Sequence, residues 1–318
     1  MLETYPVNLK SPSTQGAQPI WFDLCDPTDE ERARVERATE FKLPSRDQLS
    51  EVESSSRVSA IGEALYLSMP LLAHPEQGEE FPTPLGFILS SETLVTIRYT
   101  HLPPLEKVSK ALRGEAPCNR STEVFTRIVE SLVDAAADIL EHLNHDLAVI
   151  GKVVFHRLPA TRAPQRNNIR LRQTLIQIGE MGEKLSEIRQ TLLGLQRIVI
   201  FTSERATDWT PNDIKHRIKT ARDDLTSLSD YEIQLFEKVQ FLLDAVLGFL
   251  NTEQNDIFRV LTVVSVIGIP PVMIASLYGM NFKNMPELNW EWGYPYALAL
   301  IAISAIIPAV WFKKRGWW

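Results

Sequence analysis

Polar and apolar positions divide this chain into two unlike parts. Residues 260–282 hold no charged side chain, and neither do residues 292–312. At 1.5 Å of rise per residue, about 20 residues cross a hydrocarbon core of roughly 30 Å. The pattern therefore predicts two transmembrane helices joined by a short loop. Two core helices of a soluble protein are the alternative, but a soluble core seldom needs two uncharged runs of that length in succession.

Ahead of the spans the apolar period changes twice. Residues 19–24 read as a strand, and Asp26-Pro27-Thr28-Asp29-Glu30-Glu31 supplies a cap and an acidic first turn for a helix to about Phe41. Residues 64–69, 86–90 and 94–98 are short β-rich runs set off by Pro, Gly and Ser. From about residue 122 the period becomes helical. One helix is predicted to about 155, a proline-containing turn at 158–164, and a second helix over about 167–201. A third begins near Thr210, which is suited to cap, with Pro211 suited to the first helical position. No proline follows until Pro270, so one helix over 212–280 is expected, roughly 100 Å long. Along it Ile218, Leu225, Leu228, Tyr231, Ile233, Phe236, Val239, Leu242, Val246 and Leu250 keep an apolar stripe at spacings of mostly three and four. Its own chain can hardly cover so long a helix, which predicts a stalk that enters the membrane as part of an oligomer.

The fold expected is an α+β cytoplasmic domain, then a long stalk helix and two C-terminal transmembrane helices. Residues 1–120 form the α/β domain, 121–205 a cytoplasmic helical hairpin, and 206–280 the stalk continuing into the first span. Residues 281–291 form an external loop, 292–312 the second span and 313–318 a basic, aromatic cytoplasmic tail.

Charge orients the hairpin. Arg259 precedes the first span and Lys313, Lys314 and Arg315 follow the second, whereas the loop sets Lys283 against Glu287 and Glu291. Positive charge stays on the untranslocated side, so both termini are expected in the cytoplasm, in an inner or plasma membrane of bacterial type. Trp290, Trp292, Tyr294 and Tyr296 form an outer aromatic belt, and Trp311, Trp317 and Trp318 an inner one. Residues 1–15 lack the apolar centre of a secretory signal. Cys25 and Cys118 have no metal-ligand spacing and read as ordinary buried thiols. The net charge of −7, with no basic stripe, disfavours nucleic acid. No P-loop, nucleophile elbow or metalloprotease zinc motif is present, so no enzyme is expected.

The first span ends on Tyr278-Gly279-Met280-Asn281, followed by Phe282 and Met285-Pro286-Glu287-Leu288. Together with the closing Phe312-Lys313-Lys314-Arg315-Gly316-Trp317 tail, these residues resemble the CorA family of divalent cation channels. The likeness extends more loosely to Trp21-Phe-Asp-Leu24 with Pro27, and to residues 251–261. It implies a funnel-shaped homopentamer in lipid, its first span lining a central pore and its second facing lipid. Gly279, Met280 and Asn281 would form the outer mouth, with the Asn281 side-chain oxygen and the Gly279 carbonyl arranged in rings. Mg²⁺ sheds water reluctantly, so such oxygens would accept hydrogen bonds from its hydration shell rather than replace it. The plainer reading is that Gly279 and Asn281 only cap a helix.

Helical spacing places Asn255, Phe258, Leu261 or Thr262, Ser265, Ile269, Val272 or Met273, Ser276 and Met280 on one face, a pore lining without carboxylate, thiolate or imidazole. Ser265 and Ser276 either bond to the ion's water or bond back to their own helix. Phe258 and Leu261 are suited to close the pore by dewetting. Pro270 and Pro271 remove two amide donors in mid-span. Many relatives carry Glu where this chain has Lys283, which weakens cation attraction at the rim and opens the alternative of a zinc transporter of the same superfamily. His142 and His145 lie three apart on a predicted helix, in reach of one zinc ion, and Asp223 and Asp224 are candidates for a cytoplasmic ion sensor. Surface histidines and a solvated acidic turn explain the same residues. No cofactor is expected, only divalent cations, carried or regulatory, of which Mg²⁺ and Zn²⁺ are foremost. A membrane-anchored oligomeric sensor or scaffold is the reading from another class, but an anchor needs neither Asn281 nor a patterned inner face.

Overall fold

The computed structural model describes residues 1–5, 19–51, 53, 57–73, 81–113, 118–157, 164–281, 285–286 and 290–317. The chain divides into two compact units, Met1–Val153 with Ile176–Leu242, and Val154–Leu175 with Leu243–Trp318.

The first unit holds strands β1 (Leu2–Tyr5), β2 (Trp21–Cys25), β3 (Val58–Ile61), β4 (Ala64–Ala73), β5 (Phe81–Leu89) and β6 (Leu94–Arg98). They form one sheet in the order β1-β2-β6-β5-β4-β3. β2 and β6 run parallel, in register Asp23 with Thr96, and all other neighbours are antiparallel. The β4–β5 pair is longer than the predicted runs, and β1 and β3 have no counterpart among them.

Helix α1 (Asp29–Thr39) starts as its sequence dictates. The Thr28 hydroxyl accepts from the Glu31 N–H while the Glu31 carboxylate accepts from the Thr28 N–H, in a capping box. Phe22, Leu24, Ile88, Val95 and Ile97 on one sheet face pack with Val35 of α1 and Leu49 of the short α2 (Arg46–Leu49). The opposite face carries Trp21, Asp23, Phe87, Thr96 and Arg98. The Trp21 indole N–H donates to Thr96 Oγ1 at 3.0 Å, and that hydroxyl donates to Asp23 Oδ1 at 2.7 Å. Arg98 completes the group with a 2.9 Å ion pair to Asp23, both side chains nearly sealed from solvent. A buried charge needs such pairing, because desolvation otherwise costs several kcal/mol. Phe87 meets Phe125 edge to face at 5.6 Å.

Helix α3 (Pro103–Arg113) precedes α4 (Ser121–Lys152), which ends in a π turn over Val153–Arg157. Of the predicted turn at 158–164, residues 158–163 lie outside the described residues, and Pro164 instead opens α5 (Pro164–Arg205). Helix α6 runs from Asn212 to Tyr278 as one element, through Pro270 and Pro271. Its start corrects the sequence reading: the Thr210 hydroxyl donates back to the Ala206 carbonyl at 2.6 Å, and Pro211 stands before the helix rather than at its first residue.

Within the first unit α6 buries Ile214, Ile218, Ala221, Leu225, Leu235, Val239 and Leu242. Arg217 forks onto the Glu130 carboxylate of α4, Lys238 donates to Asn144 Oδ1 at 3.0 Å, and Arg189 of α5 lies 3.5 Å from Glu232. The predicted stripe is corrected at two points, the first being Leu235, which is buried where the stripe held its neighbour Phe236. At the second, Ile233 is exposed, and the core position falls on Glu232, which sits seven residues from both Leu225 and Val239.

The second unit holds the end of α6 and α7 (Gly293–Lys314), whose most apolar 18-residue windows have mean hydropathies of 2.2 and 2.0. After α7, Gly316 takes φ +70°, a left-handed conformation that glycine adopts without cost. That turn lets the Trp317 N–H reach the Phe312 carbonyl at 3.1 Å and sets Arg259 over the Trp317 ring at 5.6 Å.

Candidate pore mouth and transmembrane groove

At the end of α6 the Gly279 N–H still donates to the Ala275 carbonyl at 3.0 Å, and the Met280 N–H to the Leu277 carbonyl at 3.4 Å. Gly279 is not left-handed; the described glycines with positive φ are Gly62 and Gly316. Its lack of a side chain matters through space instead. A Cβ there would stand 3.2 Å from the Ala275 oxygen and 3.6 Å from the Ser276 oxygen. Gly279 thus stands directly after the last helical residue without a left-handed backbone. Asn281 follows, exposed, and its amide has no hydrogen-bond partner among the described residues.

On α6 a groove of about 690 Å³ runs below this point, lined by Val264, Ser265, Gly268, Ile269, Val272, Met273, Ser276, Leu277 and Met280. The structure thus brings Ser265, Ile269, Val272, Met273, Ser276 and Met280 onto one strip. Val264, Gly268 and Leu277 belong to it as well and escaped the sequence reading, although each stands three or four residues from a member. Thr262 bonds back to its own helix, its hydroxyl donating to the Phe258 carbonyl at 2.7 Å. Ser265 and Ser276 make no such bond among the described residues, so their hydroxyls stay available. Asn255, Phe258 and Leu261 lie nearer the start of the apolar stretch, outside the groove and exposed. The carbonyls of Val266 and Ile267 lose their helical donors to Pro270 and Pro271.

Lys283 and Glu287 lie outside the described residues, whereas Glu291 is exposed in the turn before α7. Trp290, Trp292, Tyr294 and Tyr296 are exposed around that turn, as are Trp311 and Trp317 at the other end of α7. His142 and His145 on α4 are exposed, as are Asp223 and Asp224 on α6. Among the described residues no group of three or more His, Cys, Asp or Glu side chains assembles around a common point. Of the cysteines, Cys118 is buried and its thiol is pushed up to about 12 by burial and by its bond to Glu123. Cys25 is only half-buried, which corrects the expectation of two buried thiols.

These features define a membrane protein whose α+β domain leads through one long helix into two apolar spans. The model of the CorA family, described as a CorA-like Mg²⁺ transporter protein, matches residues 16–314, and the chain belongs to that family. It is 29% identical over 299 residues to the magnesium transport protein CorA of Salmonella typhimurium, covering 94% of this chain and 92% of that protein. The complete structure of the CorA magnesium transporter from Methanocaldococcus jannaschii matches with a TM-score of 0.74 at 20% identity, covering 94% of this chain and 91% of that one. The ZntB cytoplasmic domain from Vibrio parahaemolyticus matches with a TM-score of 0.58 at 12% identity, covering 73% of this chain and 88% of that domain.

Proposed function

We propose that this chain transports divalent cations, Mg²⁺ foremost, through a central pore lined by α6 in a funnel-shaped homopentamer. The observation that carries the reading is the amide of Asn281, without a hydrogen-bond partner among the described residues, at the end of a groove lined by apolar side chains and by two hydroxyls that make no bond among those residues. Family membership and the magnesium transport relatives support it. The ion is the cargo, and the chain's part is to recognise its water. Five Asn281 oxygens accept hydrogen bonds from that shell, so the ion enters without the cost of dehydration. Below, Ser265 and Ser276 keep the shell hydrogen-bonded through an otherwise apolar passage. Phe258 and Leu261 close the inner end by excluding water.

In this reading both termini are cytoplasmic, and Arg259, Lys313, Lys314 and Arg315 hold the inner end of the hairpin at the lipid headgroups. The zinc alternative is no better supported. The ZntB likeness extends to fold alone, and His142 and His145 have no third ligand among the described residues. Uptake into proteoliposomes of Mg²⁺, Co²⁺, Ni²⁺ and Zn²⁺, with and without a pH gradient, tests the proposal. Mg²⁺ uptake that needs no pH gradient is expected. Zn²⁺ uptake that depends on a pH gradient, with no Mg²⁺ flux, would replace it by proton-coupled zinc transport.

A further inference from the structure

In the α/β domain, remote in sequence from the transmembrane groove, lies a pocket of about 460 Å³. That volume falls within the range of small-molecule sites. Its lining is rich in donors. Lys42 and Arg57 bring two positive charges, against one acidic residue, Glu51, whose backbone carbonyl accepts from Arg57 Nε at 2.8 Å. The remaining guanidinium nitrogens of Arg57 pair with no carboxylate among the described residues. Burial and the nearby Arg197 guanidinium both push the Arg57 pKa down from its ordinary value, as expected of a cation lacking a counter-ion, although arginine stays charged.

The neutral groups point to the same chemistry. Gln48 spends its side-chain oxygen as the acceptor of the Ser45 N–H at 2.8 Å, which leaves its amide N–H₂ to donate. Tyr66 lines the pocket as well, and its phenol hydroxyl can donate. Ser59 adds a hydroxyl from the edge strand β3. Ser68, 5% exposed, also belongs to the lining, and its hydroxyl has no partner among the described residues. A buried polar group left unbonded costs free energy, and a bound acceptor would remove that cost. Arg32 fixes one wall by donating to the Leu43 and Pro44 carbonyls at 2.9 and 2.8 Å. Leu49 and Ile61 add apolar surface.

Converging donors, excess positive charge and an apolar wall together select an anion with many acceptor oxygens and an organic part. We propose that this pocket binds a small phosphomonoester metabolite, its phosphate held by Lys42 and Arg57 and its organic part against Leu49 and Ile61. Inorganic phosphate alone would leave most of the volume and the apolar wall unused.

The inference does not rest on the transport reading, and its test involves no flux. The full-length protein in detergent, with EDTA present, is titrated calorimetrically with AMP, glucose 6-phosphate, adenosine, glucose and inorganic phosphate. At least one ester is expected to bind roughly tenfold or more tightly than both its parent alcohol and inorganic phosphate. Arg57→Gln should weaken that binding by about tenfold, since it removes a charge-assisted donor. Arg120→Gln, an exposed arginine outside the pocket, should leave it unchanged. Ser59→Ala, a milder change, should give a smaller loss and keeps the test decisive if Arg57→Gln disturbs folding. Esters that bind no better than their parent alcohols overturn the proposal. So does inorganic phosphate binding as tightly as the esters, or binding that neither Arg57→Gln nor Ser59→Ala alters.

Discussion

One helix carries the same kinds of side chain through two stretches and treats them in opposite ways. Between Ile214 and Leu242, α6 holds Ile218, Leu225, Val239 and Leu242 at 6% exposure or less. Between Val260 and Leu277 it leaves Val260, Leu261, Val264, Ile269, Val272 and Leu277 at 56–64%. Burial stabilises by about 25 cal/mol per Å² of apolar surface, and a soluble monomer rarely exposes so large an apolar patch. The first stretch is covered by its own chain. The second is not covered by its own chain, and under the proposed function lipid and further copies of the chain cover it. The lesson is that exposure acquires meaning only beside the medium, since Ile61 at the edge of the sheet is 62% exposed and needs no cover.

Breaking the self-covered half should have the largest effect. Asp23→Ala strands the Arg98 guanidinium in the sheet and should cost about 3–5 kcal/mol, read by denaturant unfolding followed by circular dichroism. Asp23→Leu combined with Arg98→Met should recover most of that loss. A single variant within 1 kcal/mol of the parent would mean that water reaches the pair.

The lipid-covered half should respond to charge instead. Ile303→Arg, near the middle of α7, should cost about 2.5–3.5 kcal/mol in a membrane-insertion assay. Ile61→Arg, at similar exposure, should change stability by no more than about 0.5 kcal/mol. Equal responses at the two isoleucines would erase the distinction between the halves.

The smallest effect sharpens the buried stripe. Burial raises the Glu232 carboxyl above its ordinary value, with Arg189 opposing that shift. The folded state therefore holds the proton more tightly than the unfolded chain. Stability is fullest below the unfolded pKa and is lost as pH rises through the folded one. Glu232→Met should stabilise the protein by about 1 kcal/mol at pH 7.5, a gain that shrinks as the pH falls. A gain that does not vary with pH would show that packing rather than charge sets it.

The difference between the halves also explains what was legible in the sequence. The spans could be read at once, because lipid demands uncharged runs and nothing else in the chain supplies them. A cap and an acidic first turn for α1 were legible in residues 26–31, since a cap is local chemistry, while the pairing of Thr28 with Glu31 came from the structure. Strands β1 and β3 were not, because four residues contain too little alternation and their pairing is set by distant partners. Glu232 was hidden for a related reason. A heptad position outranks residue type when neighbouring helices close around it, so Ile233 turned outward. The anion pocket left no motif, because its donors come from a loop, a short helix and two strands that meet only in the fold. Near Asn281 the local signal was strong, while the sequence left open whether Gly279 merely capped the helix.

The central claim is that Asn281 reads the hydration shell of the ion, and Asn281→Ala tests it most directly. Mg²⁺ uptake into proteoliposomes would be compared between parent and variant, with native mass spectrometry to follow assembly. The account predicts an intact pentamer with selective uptake lost. An intact pentamer with unchanged flux and unchanged metal preference would contradict it and reduce Gly279-Met280-Asn281 to the end of a helix.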